Sequence, residues 1–284
     1  MAVRVVISML LAALASAQID KPPDFGDKPA FRQSAAGSLD STSHIAGRSE
    51  AIAARLVRQL ESFAPTGSGS PEHQLFNSAW QLVRQRHRAA AAAAFDDGTR
   101  RHPESESLAA GKVILLYLTG HYDESSAALL PLVRRFPGDP RLVVLVGETA
   151  GASPALTARF ERALRAFIRT LPGNGGARYY LAQLLAGNHA KTPAEAVTLW
   201  QEAARLDPAD PRPCLELARA ANSSGRSSDA IAWLNSALQR DPSLPDAHYR
   251  LSRLYAKQGD RTQAANHLAE YRKLEAGRAA PHAP

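Results

Sequence analysis

Cysteine occurs once in the 284 residues, at Cys214, so no disulfide can form within the chain and the fold must hold by packing. Cys214 sits among apolar helix positions with no histidine near it in sequence, which reads as a small buried residue rather than a nucleophile. Aromatic residues are sparse at 6%, and the β-branched runs that build strands are few. No extended block of lysine or arginine appears, and acids and bases alternate along most stretches. The formal charge of +7 therefore reads as a mixed solvated surface. Catalytic patterns are missing as well. There is no His-Glu-x-x-His, no i, i+4 histidine pair, no Gly-x-Ser-x-Gly elbow and no phosphate-binding Gly-x-x-x-x-Gly-Lys loop. Gly67-Ser68-Gly69 and Gly173-Asn174-Gly175-Gly176 read as linker or turn, and Asp96-Asp97 and Asp123-Glu124 as partners of helix dipoles. No catalytic residue, metal site or cofactor is expected, and the chain reads as a non-enzyme.

Alanine and leucine, both strong helix formers, dominate what is present. At the N-terminus Arg4 precedes an apolar run from Val5 to Ala15, and Ala15-Ser16-Ala17 offers the small residues that a signal peptidase reads. The run is shorter than the about 20 residues a membrane-spanning helix needs. Residues 1–17 thus read as a secretory signal cleaved near Ala17-Gln18, which places the mature protein in the periplasm or outside the cell. The alternative is a membrane-associated structural subunit of an envelope or secretion complex, held by an uncleaved N-terminal segment. Residues 18–44, with Pro22, Pro23, Gly26, Pro29 and Gly37, read as a flexible leader. Residues 45–70 read as an N-terminal helix and linker. Ile52, Leu56, Leu60 and Phe63 share one face of a helix expected from about Ser43 to Phe63, and Pro65–Pro71 breaks it.

The C-terminal part repeats itself. Asp207-Pro208 recurs as Asp241-Pro242, Pro211 as Pro245, Leu217 as Leu251, Gly225 as Gly259, Ala230 as Ala264 and Leu234 as Leu268, each pair 34 residues apart. Within one unit Cys214, Leu217, Ala218 and Ala221 form the apolar stripe of a first helix. Gly225 ends it, Ser227 or Ser228 is placed to cap a second helix, and Ala230, Ile231, Leu234, Ala237 and Leu238 form the facing stripe. Asp241-Pro242 stops that helix. Such a pair has too little apolar surface to fold alone, and stacking completes its core.

This helix–turn–helix of 34 residues, with its small-residue positions, turn glycine and terminal proline, resembles the tetratricopeptide repeat. Residues 245–278 fit best, with Leu251, Tyr255, Gly259-Asp260, Ala264 and Leu268 where the pattern places such types. The match weakens toward the N-terminus. Pro131 falls inside a second helix and should kink it, residues 71–104 lack a turn glycine, and 140–174 are the least regular. The resemblance implies an all-α, right-handed superhelical solenoid of stacked antiparallel helix pairs over 71–278, in about six units, followed by a disordered tail at 279–284. It also implies that first helices line a concave groove which holds a partner peptide or helix. Opposite the packing stripes lie Arg212, Arg219 and Asn222 on one first helix and Tyr249, Arg253 and Lys257 on the next. These suit a partner protein or peptide bearing carboxylates. Nucleic acid is not expected, because the export signal argues against it and no base-reading pattern recurs. Membrane contact is expected only if the signal segment is retained.

Overall fold

A computed structural model describes residues 52–66, 69–150, 154–187 and 192–279, all within one compact unit spanning Ala51–Pro284. The signal segment, the leader, the start of the helix expected from Ser43 and residues 280–284 lie outside the described residues. Helix α1 covers 52–62. Helix pairs follow it: α2 (Pro71–Arg84) with α3 (Arg88–Arg101), α4 (Glu106–Leu118) with α5 (Tyr122–Arg135), and α6 (Pro140–Thr149) with α7 (Thr157–Thr170). Then come α8 (Gly175–Gly187) with α9 (Ala194–Leu206), α10 (Arg212–Ser223) with α11 (Ser227–Arg240), and α12 (Pro245–Gln258) with α13 (Arg261–Ala279). No strand occurs among the described residues. The architecture is an all-α solenoid of stacked helix pairs.

Local chemistry sets the boundaries of each pair. Ser70, Ser105 and Asp139 cap α2, α4 and α6 by accepting from the backbone N–H of His73, Leu108 and Arg141. Proline occupies the first turn of α2, α6, α10 and α12, where its missing N–H costs nothing. Gly120, Gly225 and Gly259 take φ of 85°, 75° and 84° between first and second helices. The first pair lacks such a glycine, and Arg86 adopts φ 62° there instead. The serines at 227 and 228 do not cap α11. Arg226 precedes the helix without a side-chain cap, and the tight turn supplies backbone bonds in its place, Arg226 N–H to Ala221 O at 2.9 Å and Ala230 N–H to Arg226 O at 3.1 Å.

The stripes read from the sequence face the core, with Ile231 and Leu238 at their partly buried margin. Leu217, Ala218, Ala221, Ala230, Leu234 and Ala237 are each 2% exposed or less. One contiguous core runs from α1 to α9 and continues into Leu217 and Ala220, with Trp200 fully buried within it. Successive pairs are also clasped at their ends. Arg240, the last residue of α11, donates to the carbonyls of Ala204, Asp207 and Asp210 at the end of the preceding pair, at 2.9, 3.2 and 2.8 Å. Arg135 does the same to Pro103 O at 3.1 Å, and Thr170 to Pro137 O at 2.9 Å.

The irregular region has a packing reason. Helix α6 is only ten residues long and a 3-10 turn, Pro154–Leu156, precedes α7. Gly147 does not break α6; the Tyr180 ring of α8 lies against it where a side chain would otherwise stand. Pro131 likewise sits inside an unbroken α5.

Candidate functional site

Five of the six residues expected to face a partner line one groove between α10 and α12. It encloses about 660 Å³ and has an apolar floor of Ala218, Leu234 and Leu254. Arg219, Asn222, Tyr249, Arg253 and Lys257 stand around that floor, together with Asp246 and Arg250, which the sequence reading had not singled out. Tyr249 is 40% exposed although it is a large apolar side chain, and its ring packs 5.2 Å from that of Tyr271 on α13. Two of the four cations are already paired: Arg219 with Glu216 at 2.8 Å and Arg250 with Asp246 at 2.8 Å. Arg253 and Lys257 have no carboxylate partner among the described residues, and Arg253 lies 5.9 Å from the centre of the Tyr249 ring. The groove therefore offers a tyrosine face, two unpaired cations and a greasy floor, the elements from which contact energy and orientation are built at protein interfaces.

Arg212 stands apart from this groove. Its guanidinium makes a two-pronged pair with Asp210, at 2.9 Å for Nε and 2.8 Å for Nη2, and reaches the Tyr180 hydroxyl at 3.2 Å. It also lies over the Tyr179 ring at 4.6 Å. Burial alone would disfavour its charge, but Asp210 and the Tyr180 hydroxyl hold its pKa above the ordinary value. All three of its nitrogens are engaged inside the chain, by Asp210 and the Tyr180 hydroxyl.

The same device occurs two pairs earlier. Asp139-Pro140-Arg141 repeats Asp210-Pro211-Arg212 at a distance of 71 residues. Arg141 binds Asp139 in the same two-pronged way and lies 4.4 Å over a ring. That ring is Phe63, just beyond α1. Counted from the capping residues Asn174 and Ser105, the position of Tyr179 on α8 is taken by Ala110 on α4, which leaves room for it. Arg141 also donates to Ser62 O at 2.8 Å and pairs with Glu106 at 3.0 Å, while Gln59 donates to Arg141 O at 3.3 Å. At the other end of α6, Arg55 pairs with Glu148 at 3.3 Å, and the Tyr180 hydroxyl donates to the same carboxylate at 2.8 Å. Helix α1 thus runs antiparallel beside α6, with Leu56, Leu60 and Phe63 fully buried.

Counted from Pro140, Pro211 and Pro245, Glu148 holds the position that Arg219 and Arg253 hold on α10 and α12. The face that is open on the last two first helices is covered on α6 by the chain's own N-terminal helix. The sequence reading missed this role of α1. The recurring Asp-Pro-Arg was the available signal for an equivalent environment, but nothing local showed that residues about 80 positions away supply the ring.

Burial pushes the Cys214 thiol up, and burial does the same to Tyr179 and Tyr180. No cluster of three or more metal-ligating side chains occurs among the described residues.

Repeated helix pairs with left-handed turn residues, a continuous inter-pair core and an open groove between the first helices α10 and α12 define an α-solenoid of the interaction type. The chain carries tetratricopeptide repeats: models of that repeat match residues 76–140 and 157–211, and residues 188–243 and 223–283. Two crystal structures of MamA are similar in fold, at 18% identity with a TM-score of 0.50 over 59% of this chain and 96% of that one, and at 17% with a TM-score of 0.50 over 64% and 100%. A structure of YrrB, described as a TPR protein with an unusual peptide-binding site, aligns at 17% identity over 64% of this chain and 93% of that one, with a TM-score of 0.45. No curated protein matches the chain.

Proposed function

We propose that this chain is an exported, non-catalytic scaffold that binds a protein partner, an acidic peptide or helix, in the groove between α10 and α12. The observation that carries the reading is the contrast along the first-helix face. Its α6 portion is covered by α1, whereas the α10 and α12 portion offers Tyr249 and two unpaired cations over an apolar floor. Tetratricopeptide repeats support an interaction role, and the apolar run of Val5–Ala15 before Ala15-Ser16-Ala17 supports export.

The partner is to be captured by crosslinking in intact cells and its affinity measured against the purified chain. Arg219→Glu with Arg253→Glu is expected to weaken binding about tenfold or more, with unchanged helicity. Unchanged affinity in that double variant rejects the groove. N-terminal sequencing of the mature protein tests export: a start at Gln18 supports it, and a start at Met1 replaces it with the anchored reading.

A further inference from the structure

A second groove lies on the second helices, between α5 and α7, and encloses about 490 Å³. Its walls are Leu130, Pro131 and Val133 from α5 and Leu156, Ala163 and Phe167 from the α7 side. Two departures from a regular repeat meet here. Pro131 has no N–H to give the carbonyl of Ala127, one turn back and also on the groove, and the 3-10 turn ending at Leu156 forms part of the opposite wall. Arg134, Arg159 and Arg162 line the groove as well, and no carboxylate does.

These three arginines are exposed and make no ion pair or hydrogen bond among the described residues. Their neighbours behave differently. Arg165, on the same helix, is held by Glu161 at 3.0 Å and Glu195 at 2.7 Å, and Arg135 is held by Glu104. On these two helices Arg135 and Arg165 are paired, whereas Arg169 and the three arginines at the apolar groove make no ion pair among the described residues; what sets the three apart is that they border apolar walls with no carboxylate beside them.

We infer that this groove docks an acidic amphipathic helix of a partner protein, with apolar side chains against Leu130, Val133 and Phe167 and carboxylates on Arg134, Arg159 and Arg162. An amphipathic helix laid into an apolar groove buries one face, and arginine forks suit carboxylates in two-pronged geometry. A lipid surface fits less well. The exposed large apolar side chains of the described residues are Tyr122 and Tyr249, and neither lies on this groove, so its rim offers no large apolar side chain to a bilayer. The site shares no residue with the groove of α10 and α12.

The test uses the full mature chain and a fluorescent peptide of repeated Leu-Glu-Glu-Leu turns, with a Leu-Lys-Lys-Leu counterpart, read by anisotropy. The Glu peptide is expected to bind and the Lys peptide not to bind. Arg159→Glu with Arg162→Glu should weaken the Glu peptide about tenfold or more, and Arg159→Ala with Arg162→Ala should weaken it less; circular dichroism checks that both remain folded. Because the groove of α10 and α12 is itself proposed to take an acidic helix, the α7 substitutions are also made in an Arg253→Glu with Lys257→Glu background, where the Glu peptide should still bind and Arg159→Glu with Arg162→Glu should still weaken it about tenfold. The inference is overturned if the Glu peptide does not bind, if both α7 variants bind as the wild type does, if the Arg253→Glu with Lys257→Glu background alone abolishes binding, or if anionic phospholipid vesicles displace the peptide.

Discussion

Gly147 has no side chain, and the Tyr180 ring occupies the place of one: an added Cβ would meet ring Cγ at 2.0 Å. The Tyr180 hydroxyl is in turn fixed by Glu148 and Arg212, so the ring has nowhere to retreat. Gly147→Ala is expected to cost about 1–3 kcal/mol, read as a lower urea midpoint. Glu106 is the second residue with a readable consequence. Burial, followed by the neighbouring Asp139, pushes its carboxyl up from 4.5 to about 7, against the pull of Arg141. A folded pKa above the unfolded one means that its contribution is fully present below about 4.5 and lost as pH rises through about 7. Glu106→Gln should therefore flatten the pH dependence of Tm between those values, and an unchanged profile would contradict this. At this scale the sequence was only partly legible. Arg212 and Arg219 lie on one helical stripe, seven residues apart, yet one is sequestered by Asp210 and two tyrosines and the other borders a groove. The period of a helix reports which way a side chain points, not what meets it there.

Among the elements, α1 departs most from expectation. Its apolar face of Leu56, Leu60 and Phe63 was legible, and so were the turns at Gly225 and Gly259, because repetition marks them. The surface that covers that face was not legible, since it comes from α6 through contacts spanning 79 and 82 residues. Arg86 taking the left-handed turn position was equally silent, because an arginine carries no signal for it. Phe63 is fully buried beneath Arg141, and Phe63→Ala is expected to cost about 3–5 kcal/mol by cavity formation and lost contact. The loss should be local: amide exchange across 52–62 should accelerate while α12 and α13 remain protected, because a solenoid couples mainly nearest neighbours. Uniform acceleration along the chain would contradict a separable α1.

For the molecule as a whole, the repeat register and helical class were read from spacing alone, since 34-residue recurrence needs no knowledge of contacts. Which stretch of the first-helix face remains open required the structure. The α6 stretch is covered by α1, whereas the α10 and α12 stretch presents an open groove, and the proposed partner surface rests on that contrast. Charge follows the same division, with Glu148 paired to Arg55 on the covered stretch and Arg253 and Lys257 without a carboxylate among the described residues on the open one. The most direct measurement is amide hydrogen exchange on the mature chain with and without its crosslink-identified partner. The account predicts slowed exchange in α10 and α12 with no change in α1 and α6. Slowed or released exchange in α1 and α6, with α10 and α12 unaffected, would contradict it.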